Sequence, residues 1–263
     1  MFTPIGFFAP QVTGFDPTLG GTLTPAYWWD FTDSSTMSLT GASINNITDK
    51  IASETFTKVG TNNYTGTYTE FRNGNTANGT GFFKSAQYIP SGMLKNQNYM
   101  IIFIHDAVGT DGTAFQIRSN VSNGYNAAYC ESAASIPGSY SQQVCVNNGS
   151  GNHFYMGRFN NSYSPAHRLI NSRLSTAPQF IAWGWEGTTG IGYFSTNGAS
   201  LCTRSTIATQ NASTNSGNGF SIGRDSNGGG GTYDFNLYHC VVYTTGILSN
   251  TNVSDLYQNW LDS

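Results

Sequence analysis

The C-terminal segment from Phe220 onward constrains the fold more tightly than any other part of the chain. A short apolar run, Phe220-Ser221-Ile222-Gly223-Arg224, leads into the glycine loop Asp225-Ser226-Asn227-Gly228-Gly229-Gly230-Gly231, and a longer run follows from Tyr233 to Tyr243. Simple alternation puts Tyr233, Phe235, Leu237, His239, Val241 and Tyr243 on one face of that run, and Asp234, Asn236, Tyr238, Cys240 and Val242 on the other. Both faces become apolar towards the end, as expected of a strand entering a sandwich core. Val253, Leu256, Tyr257, Trp260 and Leu261 then recur at the spacing of one helix stripe, with Ser249 or Asn250 as the N-cap. The order is strand, loop, strand, terminal helix.

The rest of the chain reads as strands and turns. Tyr99-Met100-Ile101-Ile102-Phe103-Ile104 is a continuous apolar run with β-branched content, which predicts a strand buried on both faces. Phe180 to Trp185 and Ile191 to Ser195 are two more strands, and Asn197-Gly198 is hairpin chemistry. Asn73-Gly74 and Asn78-Gly79 mark turns, and residues 119–152 read as long polar loops. Only 10% of the 263 residues are charged, with 31 Gly and 14% aromatic residues, a balance that fits many strands joined by turns. The net charge of −3, with 11 basic residues spread singly, argues against nucleic acid as a partner. No apolar run approaches the roughly 20 residues of a membrane-spanning helix.

Residues 1–25 carry Phe2, Phe7, Phe8 and Phe15 among Pro4, Pro10, Pro17 and Pro25. Such a segment can pack its rings but cannot build a helix or a central strand. It reads as an extended arm that either lies on its own domain or anchors onto a partner subunit through those phenylalanines. The cost of leaving so aromatic a run in water favours anchoring. No internal repeat or hinge-like linker follows, so residues 26–263 are expected to form one domain.

The N-terminus lacks the basic start and unbroken apolar stretch of a secretory signal, although the composition suits an exposed, extracellular-type β protein. A virus structural protein, made and assembled in a host cytoplasm, reconciles the two; so does a secreted protein whose signal has been removed. Cys130, Cys145, Cys202 and Cys240 have no paired spacing and no His at zinc distance, and read as buried or half-buried thiols. A Cys130–Cys145 link across a loop stays open. Asn46, Asn63, Asn78 and Asn120 head Asn-x-Ser/Thr triplets, which carry meaning only along a secretory route.

Tyr27-Trp28-Trp29-Asp30-Phe31-Thr32-Asp33-Ser34-Ser35-Thr36-Met37-Ser38-Leu39, Ile47-Thr48-Asp49-Lys50, Asn73-Gly74 through Phe82-Phe83, Gln179 to Ser200 and Phe220 to Leu261 together resemble the concanavalin A-like (laminin-G-like) jelly-roll domains of phage and bacterial surface proteins. Two positions depart from that pattern: His239 stands where an acidic residue is common, and Ile47 where a Trp is. The resemblance implies an all-β jelly-roll β-sandwich with a short C-terminal helix, covering most of residues 26–262.

Several motifs invite a function. Gly219-Phe220-Ser221-Ile222-Gly223 fits Gly-x-Ser-x-Gly, with Asp234 and His239 following in hydrolase order. A nucleophile elbow needs a sharp turn at Ser and then a helix, whereas Ser221 sits inside a strand run, and alternation places Asp234 and His239 on opposite faces. Glu54, Glu70, Glu131 and Glu186 are scattered, and the Glu-x-Asp-x-Glu strand of jelly-roll glucanases is missing, which argues against a glycosidase. Asp106 and Asp111 flank a loop with some of the oxygens a Ca²⁺ ion wants, but a solvated turn is the better reading. The Gly228–Gly231 run lacks the Lys and helix of a phosphate loop. No cofactor is expected.

Sugars stack on exposed rings beside hydrogen-bonding groups. Tyr163 and His167 lie in a polar loop, Asn227 and Tyr233 flank the glycine loop, and Trp185 shares a strand face with Trp183, which reads as core. The expectation is a non-enzymatic surface protein of a tailed-bacteriophage virion, as tail fibre, tail tip or head decoration. It would be assembled in the host cytoplasm, exposed on the particle beside other virion proteins, and open to oligomer formation, with host glycans as the ligand class. A secreted microbial carbohydrate-binding module is the alternative, and a glycoside hydrolase the next.

Overall fold

A computed structural model describes residues 14–59, 62–71, 82–85, 97–107, 112–118, 141–147, 153–159, 179–186, 188–189, 191–204, 219–222 and 235–263. The described strands are β1 (Tyr27–Asp30), β2 (Met37–Thr40), β3 (Ser43–Thr48), β4 (Thr55–Val59), β5 (Asn63–Tyr64), β6 (Thr69–Phe71), β7 (Phe82–Ser85), β8 (Tyr99–Ala107), β9 (Gly112–Arg118), β10 (Ser141–Asn147), β11 (His153–Phe159), β12 (Gln179–Glu186), β13 (Ile191–Thr196), β14 (Cys202–Arg204), β15 (Gly219–Ile222) and β16 (Phe235–Tyr243). One helix, α1, spans Asn250–Leu261.

Neighbouring strands pair antiparallel in the order β11-β10-β9-β15-β7-β4-β3-β5-β6-β16-β8-β12-β13-β14, with β1 added to β16 and β2 to β3. This ribbon closes on itself as a sandwich. Ile44, Ile47, Phe56 and Ile222 from one half of the order pack in a single cluster with Trp29, Tyr99, Ile101, Phe103, Ile181, Trp183, Phe194, Leu237, Cys240 and Val242 from the other half. Rings stack across that interior, with Trp29 4.2 Å from Phe56 between centroids and nearly parallel to it. The all-β sandwich with one short C-terminal helix is therefore the architecture expected from the sequence.

A third layer covers the outer face of β8, β12 and β16. Met100, Ile102, Ile104, Phe180, Ala182, Val241 and Tyr243 pack there against Val253 and Leu256 of α1 and against Phe15. The strand β8 is thus buried on both faces, as its unbroken apolar run predicts. Ser249 caps α1 by accepting from the Asn252 amide at 3.1 Å. The helix stripe holds for Val253 and Leu256, with Tyr257 and Trp260 at its margin, whereas Leu261 is 52% exposed.

Part of the expected arm belongs to this layer. Asp16 receives backbone amides from Thr18 and Gly20, and its own amide donates to Asn259 Oδ1 at 2.8 Å. Tyr243 donates its hydroxyl to the Pro17 carbonyl at 2.7 Å. Phe15, read as an anchor for a partner, is only 4% exposed and lies against Trp28 and His239 of its own domain. Its ring area is covered within the chain, which corrects that reading. Phe2, Phe7 and Phe8 lie outside the described residues.

The alternation read along β16 is also corrected. Register shifts between Leu237 and His239 in the pairing with β8, so Tyr238 is an extra residue opposite no partner. Such a bulge flips the phase of the strand. Leu237, Cys240 and Val242 face the sandwich interior, and Tyr238, Val241 and Tyr243 face the helix side. The Asn197-Gly198 turn forms as expected: both residues have positive φ, +48° and +70°, and Ala199 N–H donates to the Thr196 carbonyl at 3.1 Å, a chain reversal set within the 197–201 connection from β13 to β14.

Candidate functional site

Beside the bulge, between the N-terminal segment, β1 and the last turn of α1, lies an open cleft of about 680 Å³. Phe15 and Trp28 form one side, Tyr238 and His239 come from the bulge, and Tyr257, Trp260, Leu261 and Ser263 form the helix side. Asp30, Thr32 and Lys50 add the polar wall. Two consecutive strand residues, Tyr238 and His239, reach one cleft because the bulge breaks alternation between them.

The polar wall is built by two sequence segments that interlock. Asp49 accepts the Trp28 amide and the Ile51 and Ala52 amides of its own turn, while Lys50 N–H donates to the Trp28 carbonyl at 2.9 Å. This clamps the Thr48-Asp49-Lys50 turn onto β1 and aims the Lys50 side chain back across it. Lys50 Nζ lies 3.1 Å from both Asp30 Oδ2 and Asp33 Oδ2 and 4.2 Å from the centroid of the Trp28 ring. Asp30 Oδ1 also accepts the Thr32 amide at 3.0 Å and the Thr32 hydroxyl at 2.6 Å.

Cross-strand pairing of Asp30 with His239 brings His239 Nδ1 to 3.2 Å from Asp30 Oδ1. The Trp28 indole nitrogen stands 3.5 Å from the same Nδ1. One nitrogen cannot both give a proton to a carboxylate and take one from an indole. The shorter, charge-assisted contact decides it, so Nδ1–H donates to Asp30. The indole N–H of Trp28 is aimed at the His239 ring, and Nε2 of His239 has no partner among the described residues, although His239 is only 6% exposed. Burial opposes ionisation of Asp30, but the His239 ring, the Thr32 hydroxyl and Lys50 outweigh it and hold the carboxyl well below the usual carboxylate range. Burial likewise disfavours charge on Lys50, and Asp30 and Asp33 reverse that, raising its pKa.

Tyr257 and Trp260 meet at 6.0 Å between ring centroids and both touch Phe180 beneath them. Their remaining ring surface opens on the cleft. Tyr238 donates its hydroxyl to Asp106 at 3.3 Å, and burial together with that carboxylate pushes its pKa up to about 12.

The residues singled out from sequence fall elsewhere. Tyr163, His167, Asn227 and Tyr233 lie outside the described residues, as does Asp111. Trp185 occupies a backbone position in β12 paired with Tyr99 and Gly192. Trp183 is core, as read. Asp106 accepts the Asn236 amide at 3.0 Å and its side-chain nitrogen at 2.9 Å, so its oxygens serve the β8–β16 pairing. Among the described residues no group of three His, Cys, Asp or Glu stands ready to hold a metal ion. Cys240 is a buried thiol whose pKa burial pushes up; Cys145 and Cys202 lie in β10 and β14, and Cys130 is outside the described residues.

Ser221 sits mid-strand, paired with Lys84 and Gln116, and its neighbour Ile222 is fully buried. Five strands separate β15 from β16 in the hydrogen-bonded order. The bulge removes the argument from opposite faces against Asp234 and His239, since Asp234 lies outside the described residues. The commitment of the His239 ring to Asp30 takes its place.

Sequence reasoning missed the cleft because its walls come from stretches far apart in the chain, from Phe15 to Trp260. A signal was present: Trp28-Trp29-Asp30 and Asp49-Lys50 stood out as a family pattern, and the departure at His239 marked the residue that pairs with Asp30.

No protein-family model matches the sequence, and no curated protein matches it. Solved structures do. Domain 4 of AbnA, a GH43 extracellular arabinanase from Geobacillus stearothermophilus, solved with arabinotriose, is similar at a TM-score of 0.56 and 14% identity, over 89% of this chain and 98% of that one. Trypanosoma rangeli sialidase, solved with a difluorinated nononic acid, is similar at a TM-score of 0.57 and 12% identity over 89% of this chain. The same sialidase with the inhibitor DANA gives 0.57 at 12% identity over 95% of this chain. The chain spans about a third of the length of those sialidases, 32% and 35%. These likenesses show a β-sandwich fold of the kind found as domains of carbohydrate-active proteins.

Proposed function

We propose that this chain is a carbohydrate-binding β-sandwich module whose ligand lies in the cleft of Trp28, His239, Tyr257 and Trp260. The observation that carries the reading is the cleft itself. Half-buried rings border a fixed set of donors and acceptors, the combination a sugar's apolar face and hydroxyls require. The likeness to an arabinanase domain solved with arabinotriose, over nearly all of that domain, supports it.

Binding without turnover fits the same wall. Glycosidases flank the scissile bond with two carboxyl groups. Among the described residues lining this cleft the one carboxylate is Asp30, engaged by Lys50, His239 and Thr32. Affinity electrophoresis through gels carrying soluble polysaccharides, beside a reducing-end assay, tests this. Retardation without new reducing ends, lost in Trp260→Ala, is expected; release of reducing ends would make the domain an enzyme.

Display on a tailed-phage virion is a separate proposal, supported by the resemblance of residues 27–39 and 220–261 and by the low-charge composition. Purified particles would hold the chain at fixed copy number, and removal of residues 1–13 would prevent incorporation. The deletion stops there because residues 14–25 pack on the sandwich.

A further inference from the structure

Resting on the carbohydrate-binding reading, we infer that the cleft takes uncharged glycans and turns acidic ones away. Three independent features of the wall point the same way. Lys50, the one Lys or Arg among the described lining residues, is already held by two carboxylates and lies over an indole. Asp30, Asp33 and Lys50 together carry −1. A protonated His239 brings the sum only to zero, so neither state of the imidazole offers net positive charge to a carboxylated or sulfated sugar.

The second feature is the ring nitrogen that His239 leaves unpaired. With Nδ1–H given to Asp30, His239 Nε2 is an acceptor whenever the ring is neutral. A hydroxyl can donate to it. A carboxylate can only accept, and against Nε2 it meets lone pair with lone pair. His239 is almost wholly buried, so leaving Nε2 unmatched by the ligand carries a desolvation cost.

The third is the helix. The last turn of α1 supplies Trp260 and Leu261 to the rim, with Ser263 just beyond it, and that turn holds no basic residue. The carbonyl end of a helix carries partial negative charge, which repels anions placed against it. The cleft therefore lies against the wrong end of its helix for an acidic ligand.

A glycan array bearing neutral, carboxylated and sulfated glycans, followed by titration calorimetry on the best neutral and best acidic hits, tests the inference. Wild type should bind the neutral glycan at least tenfold more tightly than the acidic one. Trp260→Ala should lower neutral affinity tenfold or more, with Trp260→Phe recovering part of it if the fold is intact. Asp33→Asn, which leaves Lys50 with one carboxylate, should raise acidic-glycan binding severalfold. Acidic glycans binding as tightly as neutral ones, and lost in Trp260→Ala, would overturn the inference and leave the carbohydrate-binding function standing. No hit on either class, or binding indifferent to Trp260→Ala and His239→Gln, would overturn both.

Discussion

Replacing Asp30 by alanine removes the group on which the cleft's polar wall converges. The Asp30 and His239 side chains are each 7% exposed, whereas that of Lys50 is 29% exposed and keeps Asp33. The losses are therefore unequal. The buried, charge-assisted His239 bond contributes about 1.5–3 kcal/mol, the half-exposed Lys50 bridge below about 1 kcal/mol, and the two Thr32 bonds, partly replaced by water, about 1 kcal/mol together. Asp30→Ala should then destabilise by about 3–4 kcal/mol, in line with removal of one partner from a buried pair. For a chain of this size that is a fall in Tm of roughly 10 °C. Lys50→Met should cost under about 1 kcal/mol. Guanidinium unfolding at pH 7 measures both. The depressed Asp30 pKa adds a pH signature, because its contribution is fully present above the unfolded value and is lost as pH falls towards the folded one. The deficit of Asp30→Ala should shrink below about pH 4. A deficit under about 1 kcal/mol, or one equal to that of Lys50→Met, would refute the idea that Asp30 holds the wall together.

Other perturbations test the packing around the cleft. Burial pushes His105 down from 6.5 to about 4, so stability should fall by up to about 3 kcal/mol as pH drops from 6.5 to 4, and His105→Gln should flatten that slope in pH-dependent denaturation. Gly198→Ala combines a φ of +70° with a Cβ 2.6 Å from Tyr257 Cδ1; a loss above about 2 kcal/mol by chemical denaturation is expected, against about 1 kcal/mol for Gly41→Ala, which has a similar φ of +60° and a Cβ that meets open space. Phe15→Ala should destabilise the isolated chain by about 3–5 kcal/mol, whereas a phenylalanine serving only a partner would leave its Tm unchanged.

What could be read from the sequence was local. The run Tyr99–Ile104 announces a strand buried on both faces because every residue in it is apolar. The stripe from Val253 to Trp260 announces a helix, and Asn197-Gly198 its turn. The bulge at Tyr238 was not legible, since nothing in Leu237-Tyr238-His239-Cys240 marks an extra residue, and the slip moves Cys240 and Val242 onto the face of Leu237. The cleft was illegible for a different reason. Phe15, Trp28, Lys50, His239 and Trp260 are adjacent only after the sheet has paired Asp30 with His239 and α1 has returned over β12. Exposure in a polar loop, the criterion that singled out Tyr163 and His167, does not find rings half-buried between layers.

The five tryptophans make the central claim directly measurable. Trp28 and Trp260 line the cleft, and Trp29 and Trp183 lie in the sandwich interior. Titrating a neutral oligosaccharide into ¹⁵N-labelled protein should shift the indole N–H resonances of Trp28 and Trp260 in a saturable way and leave those of Trp29 and Trp183 in place. Saturable binding that leaves Trp28 and Trp260 unmoved would put the glycan elsewhere on the molecule and contradict the assignment of the cleft.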